Sequence, residues 1–303
     1  MFFYLYANLI ISSEVALSPL VPAQKNCPVD VRISFARIPD FLVPPLHSKP
    51  HFQVYSDGKC ILHTPSGVRF LLDNGCQITV DIQKSEHMSE AYSWLLGPAL
   101  ALLMHQRNLP PLHASAVAIN GVAIAVAGNS GQGKSTTARA LTCAGHGLLS
   151  DDQVLVAPED LLVSPNRRSV LLWPETANSF NDTISDAQRA LSNQEKFAIE
   201  PDVPLLPPAC PLAAILVLSE EPAAFARVEQ VRSQLAAALI YRHVLRLRLA
   251  IFMGKGPQIF AWATGIAARV PVYQLHRPRD FSKLNQLVSC IEDVAKSRRE
   301  ILR

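Results

Sequence analysis

The sequence lacks the paired spacings that mark a metal or disulfide framework. Its six cysteines, Cys27, Cys60, Cys76, Cys143, Cys210 and Cys290, include no CxxC and sit at no cysteine–histidine spacing suited to zinc. Scattered cysteines of this kind are expected to be buried free thiols in a reducing compartment, which points to the cytoplasm. Charge is also scarce: 17% of residues are Asp, Glu, Lys or Arg, against roughly 25% in soluble domains. A net charge of +3 gives no nucleic-acid footprint. The basic stretches at 242–248 and 296–299 read as solvated helix faces. The apolar start, MFFYLYANLIISSEVAL, has no basic n-region and soon meets Glu14, so it reads as one or two strands and not as a signal peptide. The longest later apolar run, about 209–218, is too short to span a bilayer. No membrane partner is expected, and there is no internal repeat or low-complexity tract.

What is present is apolar residue and proline. At 49% hydrophobic with 23 prolines in 303 residues, the chain predicts buried elements joined by ordered, Pro-punctuated loops, in one large domain or two. Residues 2–82 carry short apolar runs (VRISFARI, FQVYS, CILHT, VRFLL, ITVDI) broken by Gly, Pro and Asp-Gly, a strand-and-turn pattern. The spacing over 89–106 predicts a helix, capped by Ser89 and kinked at Gly97-Pro98. Leu109-Pro110-Pro111 then marks a junction, so a β-rich region over 1–108 is expected to precede a second unit over 109–303. In that second unit a hairpin (AVAIN, Gly121, VAIAVAG) leads into a glycine-rich loop and a helix over 135–144. Further expectations are a helix then loop over 179–196, a buried strand over 213–219, a long helix over 228–249, a strand over 270–276 and an amphipathic helix over 281–297.

Gly128-Asn129-Ser130-Gly131-Gln132-Gly133-Lys134-Ser135 matches G-x-x-x-x-G-K-[ST], the Walker A phosphate loop, after a strand and before a helix, where that motif must sit. Glycines let the backbone curl so that successive N–H groups face phosphate oxygens, and the helix that follows adds its positive end. Lys134 is expected on the β and γ oxygens of ATP, and Ser135 on Mg²⁺. A phosphate loop needs an acidic partner for the metal, and Asp151 and Asp152 close a short apolar run 16 residues on. If that run is a strand ending there, one carboxylate can hold Mg²⁺ while the other meets a substrate hydroxyl. His113 opens the strand before the loop; alone, it reads more readily as structural than catalytic.

Together, LHASAVAINGVAIAVAGNSGQGKS and HGLLSDD resemble the HPr kinase/phosphorylase superfamily, and especially its smaller relatives in peptide natural-product clusters, among them kinases of lasso-peptide precursors. The likeness is carried by His113, Gly128, Ser130, Gly131, Gly133, Lys134, Ser135, Asp151 and Asp152, and is strong only over 112–156. It implies an α/β fold with a phosphoenolpyruvate-carboxykinase-like P-loop core and a mixed sheet, not a doubly wound parallel one, behind a smaller β-rich N-terminal region. It implies Asp151 as the base toward an acceptor serine, Asp152 with Ser135 on Mg²⁺, and His113 near the γ-phosphate. Thr136 stands where HPr kinases carry Glu, and their downstream phosphorolysis signature is missing, which places HPr itself and dephosphorylation in doubt.

The expected activity is therefore an ATP- and Mg²⁺-dependent serine kinase acting on a peptide or small protein. In the lasso setting the acceptor would be the precursor's carboxy-terminal serine. A kinase of a free amino acid or sugar, and a nucleotide-sensing module with little turnover, remain as alternatives, and self-association is left open. Lys196, Arg242, Arg246, Arg248, Lys255 and Arg277 are further cations weighed for the phosphates; Trp173 and Trp262 read as core.

Overall fold

The computed structural model describes residues 1–25, 27–41, 43–185, 189–191, 194–202 and 208–302, and among them the chain forms three β-sheets and the helices that cover them. The first sheet has nine strands: β1 (Phe2–Tyr6), β2 (Leu9–Ser13), β3 (Val21–Pro22), β4 (Val31–Phe35), β5 (His47–Lys49), β6 (Phe52–Val54), β7 (Cys60–His63), β8 (Arg69–Asp73) and β9 (Gln77–Asp81). Their order is β3-β1-β2-β4-β9-β8-β7-β6-β5, with β4 parallel to both neighbours and the other pairs antiparallel. The apolar start of the chain is thus a hairpin. Its two turn residues, Ala7 and Asn8, take φ of 51° and 66°, the left-handed values that a tight two-residue connection requires.

Helices α1 (Met88–Trp94) and α2 (Leu100–Gln106) flank a π-helical turn, Leu95–Ala99, that contains Pro98. Proline has no N–H to donate, and the wider turn absorbs the missing bond, so the expected kink takes this form. Ser89 lies inside α1 and does not cap it; a 3₁₀ turn, Ser85–His87, leads the chain in. From Leu100 to His105 every residue of α2 is buried, which makes it the central helix of a core shared with Ile11, Ile33, Phe70 and Leu72. Leu155 belongs to the same cluster, so the two halves of the chain share buried apolar surface.

The remaining elements are β10 (Ala114–Ile119), β11 (Val122–Ala127), α3 (Lys134–Cys143), β12 (Gly147–Ser150), β13 (Leu162–Val163), β14 (Val170–Leu172), α4 (Pro174–Ser179), β15 (Arg189–Leu191), β16 (Gln194–Ile199), β17 (Cys210–Leu218), β18 (Arg227–Gln230), α5 (Ser233–Arg242), α6 (Leu247–Phe252), α7 (Gly256–Arg269), β19 (Val272–His276) and α8 (Leu284–Leu302). Seven of the strands form a mixed sheet in the order β12-β10-β11-β17-β19-β18, with β13 on β17; β11, β17 and β19 run parallel. A second mixed sheet, not a parallel one, agrees with the expected α/β class. Strand β11 is buried on both faces. Its alanines (123, 125, 127) meet Ile240, Ile259 and Trp262 of α5 and α7, while Val122, Ile124 and Val126 meet Leu141, Leu287 and Ile291 of α3 and α8. Small side chains on one face let the helices approach closely. Strands β14, β16 and β15 make a small antiparallel sheet.

Several expectations are corrected. The stretch 228–249 is not one helix: β18 comes first, and α5 ends before Arg246, whose left-handed φ of 57° breaks the path to α6. Its apolar period comes from two short helices in series. Residues 179–196 hold the end of α4 and two strands where a helix was expected, with 186–188 and 192–193 outside the described residues. Helix α7 was not anticipated. All six cysteines are free, but Cys27, Cys76 and Cys143 are exposed. No helix among the described residues is long and apolar enough to cross a membrane.

His105 is 1% exposed, with Nε2 2.8 Å from the Leu245 carbonyl. Burial lowers its pKa from 6.5 to about 4, with Lys255 adding to the fall and the Leu245 bond opposing it. The unfolded chain therefore binds the extra proton first as pH falls. Stability from this group is complete above about pH 6.5 and is lost toward about pH 4. Urea midpoints should decline across that window, and His105→Gln should flatten part of the decline; an unchanged slope in the variant would refute this origin.

Candidate functional site

The phosphate loop leaves the carboxyl end of β11 and enters α3, the position at which α/β sheets present ligand sites. Gly131 and Gly133 take φ of 79° and 92°, left-handed values that favour glycine. Gly133 is the N-cap of α3, so the first turn of that helix opens onto the loop. Lys134 is 7% exposed, and its Nζ donates to the carbonyls of Gly128 (3.0 Å) and Asn129 (3.1 Å). Burial lowers its pKa, while Asp152 and Asp151 act to raise it. The Asn129 N–H donates to Gln132 Oε1 at 2.6 Å, and Asn129 Nδ2 donates to Glu220 at 2.9 Å. Ser130 and Gly131 form the exposed tip, and Thr136 is half-buried on the first turn of α3. Arg277, following β19, donates to the Gln132 carbonyl at 2.5 Å and so bears directly on the loop.

Strand β12 ends at Ser150, and the two acids diverge just beyond it. Asp151 is 1% exposed. Its Oδ1 accepts from Ser115 Oγ at 2.5 Å, both of its oxygens lie 3.0 Å from Ser135 Oγ, and Oδ2 accepts from the Leu171 N–H at 2.7 Å. Asp152 has a φ of 74°, tolerated by Asp better than by most residues, which turns its side chain elsewhere. That side chain remains 35% exposed, with Oδ1 3.3 Å from His113 Nε2. Burial works to raise its pKa, but the hydrogen bond and charge of His113, with Arg167 and Lys134, hold it down at about 2. Asp152 is therefore ionised at any physiological pH. His243, whose carbonyl accepts the His113 N–H at 2.8 Å, is pushed down to about 4 by burial and by Arg242, His113 and Lys134, and stays neutral.

Ser135 meets Asp151, and Asp152 meets His113, so the two acids pair differently from what the family resemblance implied. Asp151 and Ser135 supply hard oxygen donors that converge, a donor set suited to Mg²⁺ shared with a substrate's phosphates. Among the described residues no cluster of three or more His, Cys, Asp or Glu could hold a metal unaided. Of the other cations, Lys255 is spent on Gln106 and Asn108 (3.3 and 2.9 Å), and Arg242 lies 3.6 Å from Glu220. Arg248 is exposed. Arg246 feels the charge of Asp152, and Lys134 that of Lys196. Trp262 is core as expected, but Trp173 is 45% exposed, with Lys196 5.4 Å from its ring centre.

Three participants were not foreseen. Ser115 lies two residues after His113, and strand alternation, which puts i and i+2 on one face, was a usable signal for it. Gln153 follows the acids and ties them to the N-terminal half. Its Oε1 accepts from Tyr6 OH at 2.6 Å, and its Nε2 donates to Leu96 and Gly97 carbonyls at 2.8 and 3.1 Å. Arg167, on the stretch between β13 and β14, acts on Asp152 through its charge, and no local pattern announces it.

No protein-family model and no curated protein matches the chain. Among solved structures, the HPr(Ser) kinase/phosphatase from Coxiella burnetii aligns with 63% of this chain and 97% of its own, at 14% identity and a TM-score of 0.28. A superposition at that score does not establish a common fold.

A Cβ at Gly133 would collide with Arg277 Nη2 and would also strain a φ of 92°. Gly133→Ala should lower stability by about 1–2 kcal/mol or more, seen as a reduced melting temperature. Adding Arg277→Ala should recover the steric share only; strictly additive losses would rule the collision out.

Proposed function

We propose that the chain is an ATP- and Mg²⁺-dependent phosphotransferase acting on a hydroxyl. The observation that carries this is the convergence of Ser135 with Asp151, beside a second carboxylate held by His113, at the mouth of a complete phosphate loop. Backbone N–H groups of the loop, Lys134 and the N-terminal end of α3 would bind and orient the triphosphate. Ser135 and Asp151 would hold Mg²⁺, which when bound neutralises charge on the phosphates. Asp152, oriented by His113, would align the acceptor hydroxyl. As the new O–P bond forms and the bond to the ADP oxygen breaks, the hydroxyl becomes acidic and its proton passes to Asp152. A carboxylate held near 2 is poorly basic but always ionised, which suits alignment and late proton capture. This exchanges the roles of the two acids relative to the family resemblance, because Asp151 is buried against Ser135 and only Asp152 is open to an acceptor.

In this reading 109–303 is an HPr-kinase-like P-loop catalytic part, and 1–108 is a β-rich region joined to it through Gln153. The acceptor is a serine of a peptide or small protein. The carboxy-terminal serine of a lasso-peptide precursor is the finer form of the same proposal, and label from γ-³²P-ATP should appear on a peptide and not on a dialysable compound.

Calorimetry and transfer assays separate the roles. Lys134→Ala should abolish MgATP binding, and Asp151→Asn should remove its magnesium dependence. Asp152→Asn should bind MgATP within about threefold of the wild type and lose about 10²-fold or more in transfer. The reverse pattern at the two acids would restore Asp151 as base. Unchanged transfer in both variants would end the phosphotransferase reading.

A further inference from the structure

Between β13 and β14 the chain runs between the segment that carries the acids and the residues around Leu20, and its backbone is pinned on both sides. The Asn166 N–H donates to Leu149 O at 2.9 Å, and Asn166 Nδ2 donates to Gln153 O at 2.8 Å. The Arg168 N–H donates to Pro19 O at 3.0 Å, and Arg167 itself bridges Leu20. Ser164, Asn166 and Ser169 are buried around it. The backbone at Arg167 is thereby fixed next to the segment that carries Asp152, with the residue half-buried there.

Its chemistry is unspent. Arg167 Nε is buried and has no hydrogen-bond partner among the described residues, and no carboxylate there lies within ion-pair distance of its guanidinium. Asp152 already has His113 as its partner at 3.3 Å. Even so, the Arg167 charge is near enough to help keep Asp152 ionised and to oppose the burial-driven rise of the Tyr6 pKa. A planar donor on a half-buried residue, with its Nε out of water and without an acceptor, is a group arranged for an anion. Lys134 serves the loop side of the site, whereas Arg167 comes in from the side of the acids.

We infer that Arg167 is a catalytic residue whose guanidinium takes the anionic oxygens of the transferring phosphoryl group beside Asp152. The inference rests on the phosphotransferase reading above and adds to it a contact that strengthens as charge spreads over the equatorial oxygens.

The test needs no acceptor. The wild type, Arg167→Ala, Arg167→Lys and Lys134→Ala are compared for affinity toward MgADP and toward MgADP with aluminium fluoride, which mimics the transferring group. Arg167→Ala should bind MgADP within about threefold of the wild type and lose about fiftyfold or more toward the fluoride complex. Millimolar guanidinium should restore part of that loss, which a purely structural role would not allow. Arg167→Lys, which keeps the charge without the fork, should be weakened selectively too and decides the matter if the alanine variant does not fold. Equal affinities for both ligands in the Arg167 variants and the wild type overturn the inference, as does an equal loss toward both. If instead Lys134→Ala binds MgADP as the wild type does, the phosphate-loop reading itself has failed.

Discussion

The site depends on one buried carboxylate. Asp151 is almost wholly removed from water and stays soluble in the protein only because hydroxyls from β10 and α3 and a backbone N–H from β14 surround it. An ionised carboxylate without such partners would cost several kcal/mol to bury. Its three donors come from Ser115, Ser135 and Leu171, so satisfying one side chain fixes the start of α3 against the end of β12 and the edge of the small sheet. The position of the glycine-rich loop follows from the position of α3. Asp152 lies outside this network, with a partly exposed side chain paired to His113.

What could be read from the chain in advance is what is encoded locally. The loop from Gly128 to Ser135, the Asn120-Gly121 hairpin turn with its φ of 52° and 85°, and the strand that ends at the acids all announce themselves within a dozen residues. The π turn was visible as an interruption at Gly97-Pro98, though not its geometry. The pairing of acids was not legible, because it turns on the left-handed backbone at Asp152, a choice made by tertiary packing. Arg246 shows the same limit in reverse: an apolar period ran across it and suggested one helix, and a single φ of 57° divides two. Gln153 acts through partners more than fifty residues away and Arg167 through the charge of Asp152, and neither carries a pattern of its own.

Charge around the acids is arranged in depth. Lys134 is buried and bonded to loop carbonyls, His113 touches Asp152, and Arg246 and Lys196 act from farther out. Nearby cations keep Asp152 ionised despite its surroundings, while His243 is kept neutral by burial together with Arg242, His113 and Lys134. Positive charge is thus concentrated beside Asp152 and withheld from the turn that ends α5.

Gln153 fastens to two carbonyls of the π turn, those of Leu96 and Gly97, while its other end grips Tyr6. That amide is a strut of fixed length between the nine-stranded sheet and the residue next to Asp152. The sheet is consequently the datum from which the acids are levelled against the loop. Any shift of the hairpin of β1 and β2 would therefore be carried through Tyr6 to the backbone beside Asp152.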